Sequence, residues 1–470
     1  MTDLALLCCF VMFATLGCIS PFVFSLGYVW VDALLPHMLS YGLLSSVPMA
    51  LIMGGGAFFS YMVADRRSPP SLTLIQVLCL TLALWITLTS TWAVVPNAAW
   101  VKWDPSFKTL LVAVFLPFVF RTRVQIEAFV LILIFSTLPH LLPWGAKTFL
   151  TGGGYGMSLG LLTSNAAILS ESSTVAAVAT LFVPFLAWVR VHSILIPWRR
   201  VTTIGTFGLS LAYLAATIGT FARTGLIAMF LLGFGMFLRS RRKIVFLVMA
   251  GVTISIMTLA TSDRWAARIN TITEYNTETS ANTRILVWQW AWKFAQSHPF
   301  GGGFNSFLVN VLTEIGPDGR EITQYGRAFH NIYFAVLGEH GYPGIVLYVG
   351  ILVLTLLTQQ KVIRTCKNNA ELSWAGDLAK ANQLGLIILM FSAMFIDISF
   401  NFILWDLVAL TICIKGHVQQ VTKLAARNNP RPRSNTEPVY SPRPAYAGGT
   451  LRSLDLGPAP HASMPQRSRS

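Results

Sequence analysis

"SLTLIQVLCLTLALWITLTS", residues 71–90, decides the fold. The stretch contains no charged side chain, and its apolar residues run together instead of alternating. An α-helix rises about 1.5 Å per residue, so a segment of this length crosses the hydrocarbon core of a bilayer. With no water to satisfy them there, backbone N–H and C=O groups must pair within the segment, which selects a helix. Residues 201–219 and 244–261 repeat the pattern. A membrane β-barrel would alternate apolar and polar positions and is excluded. Of the 470 residues, 54% are hydrophobic and 11% charged, against about a quarter charged in soluble domains. The expected fold is an all-α integral membrane protein of roughly 12–13 transmembrane helices, with one large outward loop containing an interfacial helix.

The net charge of +15 would suggest nucleic acid in a soluble protein. Here the basic residues fall in short loops and the C-terminal tail, so they are read as topology signals and no nucleic-acid partner is expected. Clusters occur at Arg66–Arg67, Arg121/Arg123, Arg190 with Arg199–Arg200, Arg239–Lys243, and Lys361/Arg364/Lys367. Two spans separate each cluster from the next, so the positive-inside rule puts all of them in the cytoplasm. The alternate segments then face outward: Trp92–Ser106, Leu141–Ser173, a short link near Thr220, and Thr261–Phe329. The opening run breaks at Ser20–Pro21 and reads as either a tight hairpin or one kinked span.

The cysteines lie in apolar segments except Cys366, read as part of a basic loop, and no disulfide framework is expected. The chain divides into an N-terminal multi-span region (1–200), central helices (201–260), the outward loop (261–329), C-terminal helices (330–416) and a basic tail (417–470). The tail is rich in Pro, Arg, Ser and Gly and reads as disordered.

The polar block 261–329 holds the candidate chemistry. It is expected outside the cytoplasm, which in a bacterium means the periplasm; no ATP is available there, so an enzyme at that face must use a substrate that arrives already activated. "NTRILVWQWAWKFAQSHP" (282–299) reads as a helix capped by Asn282 or Thr283 and stopped by Pro299. Arg284 and Trp288 share a face, which Trp292 and Ala295 extend. Two readings stay open: a helix flat on the bilayer with a snorkelling arginine, or Arg284 held where a lipid-linked phosphate would lie. The triple glycine of "HPFGGGFNSF" (298–307), with Gly301 and Gly303, either makes a tight reversal or lets amides cradle an anion. Arg223 lies between apolar runs at the outer level, as a lipid anchor or as a phosphate ligand; guanidinium suits bidentate phosphate binding. His330 and Asn331 begin the helix after the loop, one turn beyond Arg327. His330 is either a helix-start hydrogen bonder or a base for an acceptor hydroxyl, and Asn331 could cap or orient. His298 and His340 belong to the same face, and Glu339 could pair with His340 or an arginine. His37, His140, His192 and His461 show no evident partners. No metal-ligand spacing occurs, so neither metal nor cofactor is expected.

"FARTGLIAMF", "NTRILVWQWAWKFAQSHPFGGGFNSF" and "FHNIYFAVLGEHGYPGIVLY" together resemble the O-antigen ligase and O-antigen polymerase superfamily. The correspondence covers Arg223, Gly225, Arg284, Trp288, Pro299, Gly301, Gly303, Phe307, His330, Asn331, Glu339, Gly341 and Gly344; it departs at Ala222, where the family often has Ser. "GYVWVDALLPHMLSYGLLSSVPMALI" and residues 150–188 are similar to the O-glycosylation ligases of exosortase A-associated systems. There Glu171–Ser172–Ser173 replaces an acid followed by two Asn. The resemblance implies transfer of a glycan from undecaprenyl pyrophosphate to a hydroxyl of a lipid, protein or glycan acceptor, in contact with bilayer lipids. It implies that Arg223 and Arg284 bind the pyrophosphate, that His330 activates the acceptor, and that Arg327 and Glu339 support. A polymerase of lipid-linked repeats shares these motifs. A lipid-linked-sugar transporter would place polar sites near the bilayer midplane instead.

Overall fold

The computed structural model describes residues 2–40, 44–151, 171–239, 279–315 and 321–428, with positions 42, 243, 244 and 251. The expected span at 244–261, the start of the outward loop and the tail beyond 428 lie almost entirely outside the described residues. Residues 1–423 group into one compact unit and 424–470 into a second.

The described residues are helical almost throughout. Helices α1 (Thr2–Gly17) and α2 (Pro21–Leu34) resolve the ambiguity at Ser20–Pro21: they form a hairpin, with Pro21 opening α2 at a position where no amide donor is needed. After a single turn, α3 (Pro36–Leu39), helix α4 (Met49–Ala64) packs on both. These helices enclose their own small core around Phe13, Tyr28, Trp30 and Met53. Then follow α5 (Leu74–Thr91), α6 (Pro96–Val119), α7 (Arg123–Thr151), α8 (Ser172–His192), α9 (Arg199–Gly219) and α10 (Arg223–Arg239). The rest comprises α11 (Thr279–Ser297), α12 (Ile332–Cys366), α13 (Ser373–Ser392) and α14 (Phe402–Asn428). Among the described residues, α5, α7, α8, α9, α12, α13 and α14 are long and apolar enough to cross a membrane.

Three expected loops are shorter than the sequence suggested. Residues 96–106 belong to α6 and 141–151 to α7, because Pro105, Pro139 and Pro143 sit inside helices instead of ending them. Helix α14 continues to Asn428, past the boundary drawn at 416. Cys366 closes α12 and is buried. A strand pair also appears that the apolar pattern hid: β1 (Val311–Ile315) and β2 (Glu321–Tyr325) form an antiparallel hairpin, with Val311 opposite Tyr325.

The basic clusters converge at one end of the bundle. Arg121 donates to Ser68 O (2.8 Å), Arg123 to His192 O (2.9 Å) and Arg239 to Lys380 O (2.7 Å). His192 Nε2 lies 2.9 Å from Asp377 Oδ2, a partner the sequence did not reveal. His140 Nε2 likewise meets Leu34 O at 3.0 Å. In the loop after α4, hydrogen bonds from Arg67 hold the Asp65 carboxyl below its ordinary range. Helices α8, α10 and α12 each run toward this basic end, so Glu171, Arg223 and Asn331 mark the opposite one.

Candidate active site

At that opposite end, α11 packs onto α12 through Val287, Ala291 and Ala295, a stripe at helical spacing that is almost wholly buried. Trp288 adds a fixed point. Its Nε1 donates to Phe329 O (2.9 Å), and its ring stacks on Phe334 with centroids 5.5 Å apart. The expected aromatic stripe is therefore divided: Trp288 locks the helix to the start of α12, while Trp292 is 51% exposed. Asn282 and Thr283, expected as caps, lie inside the helix, which begins at Thr279 and ends two residues before Pro299.

Arg284, one turn before Trp288, lines a cleft of about 430 Å³ together with Thr283, Gln324, Arg327 and His330. The hairpin delivers Arg327. Asn310, just before β1, accepts from Arg327 N (3.0 Å) and donates to Arg327 O (2.7 Å), clamping its backbone from both sides. Arg327 Nε donates to Gln324 Oε1 at 2.6 Å. His330 is held by its neighbours. Phe329 is fully buried, and Asn331 Oδ1 accepts from Tyr333 N (2.9 Å) and Phe334 N (3.2 Å), capping α12. Between anchor and cap, His330 takes a left-handed backbone with φ of 45°, a conformation in which His is enriched among non-glycine residues. The cleft thus joins two guanidiniums with an imidazole, a set able to bind an oxyanion bidentately beside a proton acceptor.

Arg223 opens α10 directly after Phe221 and Ala222, and Phe221 is in the left-handed region with φ of 49°. Arg223 does not line the cleft. It sits at the same end, however. Gly225 packs so close to α8 that a Cβ there would lie 3.3 Å from Ala176. Glu171, just before α8, has Oε1 4.0 Å from His330 Nδ1. The starts of α8, α10 and α12 gather around one region.

The remaining motif residues form a brace beneath the cleft. Helix α12 breaks at Gly341, whose φ of 66° and ψ of −166° are not helical. The glycine loop heals the break: Gly302 N donates to Gly338 O (3.0 Å), Gly303 N to Glu339 O (2.8 Å), and Tyr342 N to Pro299 O (2.9 Å). Gly301 N is also engaged, with His298 O at 2.8 Å. These amides are thus consumed within the chain, and the anion-cradling reading of the triple glycine gives way to a packing one. Gly301 and Gly303 have φ of 84° and 74°, and a Cβ on either would come within 2.4 Å of neighbouring atoms. Each is required by backbone conformation and close approach together.

Glu339 is fully buried and pairs with neither His340 nor an arginine through a hydrogen bond. Its partner is Lys102 from α6, 2.8 Å away, and Asn305 N donates to the same oxygen at 2.9 Å. Lys102 also meets Asp397 at 3.6 Å. His340 is buried with Nδ1 on Thr89 Oγ1 (2.8 Å), so it belongs to the brace, and His298 is exposed and stacked on Phe294. Lys102, Asp397 and Asn310 were missed by sequence reasoning. A lysine within the apolar surroundings of α6 was the available signal, obscured because residues 92–106 read as a loop. Among the described residues, no group of three or more His, Cys, Asp or Glu side chains is placed to hold a metal.

Residues 208–349 match the O-antigen ligase family. The match contains Arg223, Arg284, the glycine loop, Arg327, His330 and most of the brace. Residues 1–194, which contribute Lys102 and Glu171, match a family of unknown function. No curated protein matches the chain. The O-antigen ligase segment and the N-terminal segment therefore meet physically in the Lys102–Glu339 ion pair.

Proposed function

We propose that the protein is a glycosyltransferase of the O-antigen ligase type, moving a glycan from a polyprenyl-pyrophosphate carrier, undecaprenyl pyrophosphate in bacteria, to an acceptor hydroxyl. The observation that carries this reading is the single cleft shared by Arg284, Arg327 and His330, at the end of the bundle away from the basic clusters. By the positive-inside rule that end faces the periplasm of an inner-membrane protein.

The acceptor oxygen attacks the anomeric carbon, the bond from that carbon to the pyrophosphate oxygen breaks, and the carrier pyrophosphate leaves with the electron pair. The acceptor proton passes to His330. Arg284 and Arg327, with Arg223 nearby, bind the pyrophosphate and stabilise the charge that grows on it. The donor is activated by its own leaving group, so no nucleotide and no metal step is needed. Glu339 supports from below through Lys102 and does not touch substrate. The N-terminal similarities favour the O-glycosylation ligase branch associated with exosortase systems.

The test is transfer from a purified lipid-linked oligosaccharide in proteoliposomes, together with the envelope profile of a deletion strain. His330→Ala and Arg284→Ala should each strongly deplete glycan on one acceptor pool, leaving only slow residual transfer, and let full-length glycan accumulate on the carrier. Single repeat units on the carrier would assign the protein as a polymerase. Full transfer by His330→Ala would remove its role as base.

A further inference from the structure

We propose that Glu171 is a positioning residue that orients the His330 imidazole, so that the N-terminal segment completes the active site of the O-antigen ligase segment. The inference rests on the function proposed above and adds a residue from outside the O-antigen ligase match.

Glu171 Oε1 lies 4.0 Å from His330 Nδ1. The residues are 159 positions apart, so chain proximity does not explain the meeting. Glu171 occupies the N-cap position of α8, yet its side chain accepts no capping hydrogen bond. A carboxylate there is favoured by the helix dipole, but it is not consumed by the helix amides. Its backbone is firmly placed, because α8 is buried along most of its length, from Ser172 and Thr174 to Val189. The partner is placed equally well, between buried Phe329 and the Asn331 cap.

The atoms matter. A neutral imidazole carries its proton on one nitrogen and its lone pair on the other, and a carboxylate facing one nitrogen selects the proton there. Glu171 faces Nδ1. Nδ1 then keeps the hydrogen and Nε2 presents the lone pair that an acceptor hydroxyl needs. At 4.0 Å, between two partly exposed side chains, the contact is longer than a hydrogen bond; this role requires it to shorten when substrate fills the site, as catalytic hydrogen bonds often do. The carboxylate's second effect is to stabilise the imidazolium that forms once the acceptor proton has moved.

Four proteins in proteoliposomes test this: wild type, Glu171→Gln, His330→Ala and the double variant, assayed at steady state with varied lipid-linked oligosaccharide. Glutamine keeps the shape and removes the charge. Expected is a fall in kcat of about 10- to 100-fold for Glu171→Gln, since general-base catalysis is worth about 10²–10⁴-fold, with the donor KM unchanged. In the His330→Ala background Glu171→Gln should cost nothing further. Wild-type kcat in Glu171→Gln overturns the proposal, as does an equal loss in both backgrounds, which would mark an independent or merely structural role. ¹⁵N signals of the His330 ring give a measurement free of turnover: wild type should hold the Nδ1–H tautomer and Glu171→Gln a mixture, and identical spectra also overturn it. Full activity in His330→Ala would instead remove the base role proposed above for His330, and no transfer by wild type would strike the proposed function, so the failures are told apart.

Discussion

Lys102→Met is the sharpest probe of the brace. Methionine matches lysine in length and apolar stem, so the change removes little besides charge. In the wild type, Lys102 Nζ is 2.8 Å from Glu339 Oε1, and the Glu339 side chain is wholly buried. At an effective dielectric of about 20, two unit charges at that separation attract by roughly 6 kcal/mol. Much of that gain offsets the desolvation of the two ions, so the pair itself adds little net stability. Removing one partner is a different matter. Glu339 would keep the Asn305 amide and lose its cation, and Asp397 would lose the same cation. Stranding a buried charge costs about 3–5 kcal/mol, or about 10²- to several times 10³-fold in the folding equilibrium. Glu339→Gln should cost less, about 1–2 kcal/mol, because an amide oxygen still accepts from Asn305 and Lys102 retains Asp397. The double variant should recover a large part of the Lys102→Met loss. Equilibrium unfolding in mixed micelles measures all three. A Lys102→Met protein within about 1 kcal/mol of wild type, or a double variant as unstable as Lys102→Met alone, would refute the stranded-charge reasoning.

Gly341→Ala should destabilise by about 2 kcal/mol or more, through the left-handed φ and a Cβ 2.2 Å from Pro299 O. Gly350→Ala, on the same helix with nothing within 4 Å of a new Cβ, should be neutral or stabilise by up to about 1 kcal/mol; thermal melting of the two in detergent is the comparison. Asn331→Ala removes the cap of α12 and should cost about 1 kcal/mol in the same assay. Arg284→Ala and Arg327→Ala should each weaken donor use by about 10- to 100-fold in kcat/KM, measured by transfer from lipid-linked oligosaccharide, at about 1.4–2.8 kcal/mol of lost anion contact. Arg284→Lys should restore only part, because an ammonium lacks the bidentate fork.

The sequence was most informative where lipid leaves one solution. Continuous apolar runs such as 71–90 could be nothing but helices, and the spacing of the basic clusters grouped segments that the structure joins through Arg121, Arg123 and Arg239. Boundaries were less legible. Proline disfavours a helix interior, yet Pro105, Pro139 and Pro143 lie inside α6 and α7 and the helices continue through them, as membrane helices tolerate. The cleft residues could be nominated because arginine and histidine at a membrane edge are costly and chemically specific. Their convergence could not be read, since Arg327 arrives on a β-hairpin with little apolar alternation and is fixed by Asn310, a residue with no distinguishing neighbours. Lys102 and Glu339 were individually visible, but nothing local says that a lysine on α6 meets a glutamate on α12.

The split between cleft and brace explains why one set of motifs contains such different residue types. Breaking a helix at Gly341 frees backbone groups in a buried stretch, where each left without a partner is costly. The glycine loop supplies matching donors and acceptors, but only a chain without Cβ atoms at 301 and 303 can approach closely enough. Trp85 Nε1 takes the His340 carbonyl at 2.8 Å, and Lys102 neutralises the glutamate beside it. Pro299, Gly301, Gly303, Glu339 and Gly341 therefore form one load path that fixes the first turns of α12 against the segment ending α11. What that path holds steady is the short stretch carrying Arg327 and His330, with Arg284 opposite on α11. In the proposed mechanism a base and a cation pair on separate elements work only if their spacing survives substrate binding, to within about 1 Å. The brace and the Trp288–Phe334 stack supply that rigidity from below and from the side, leaving the cleft face free for chemistry.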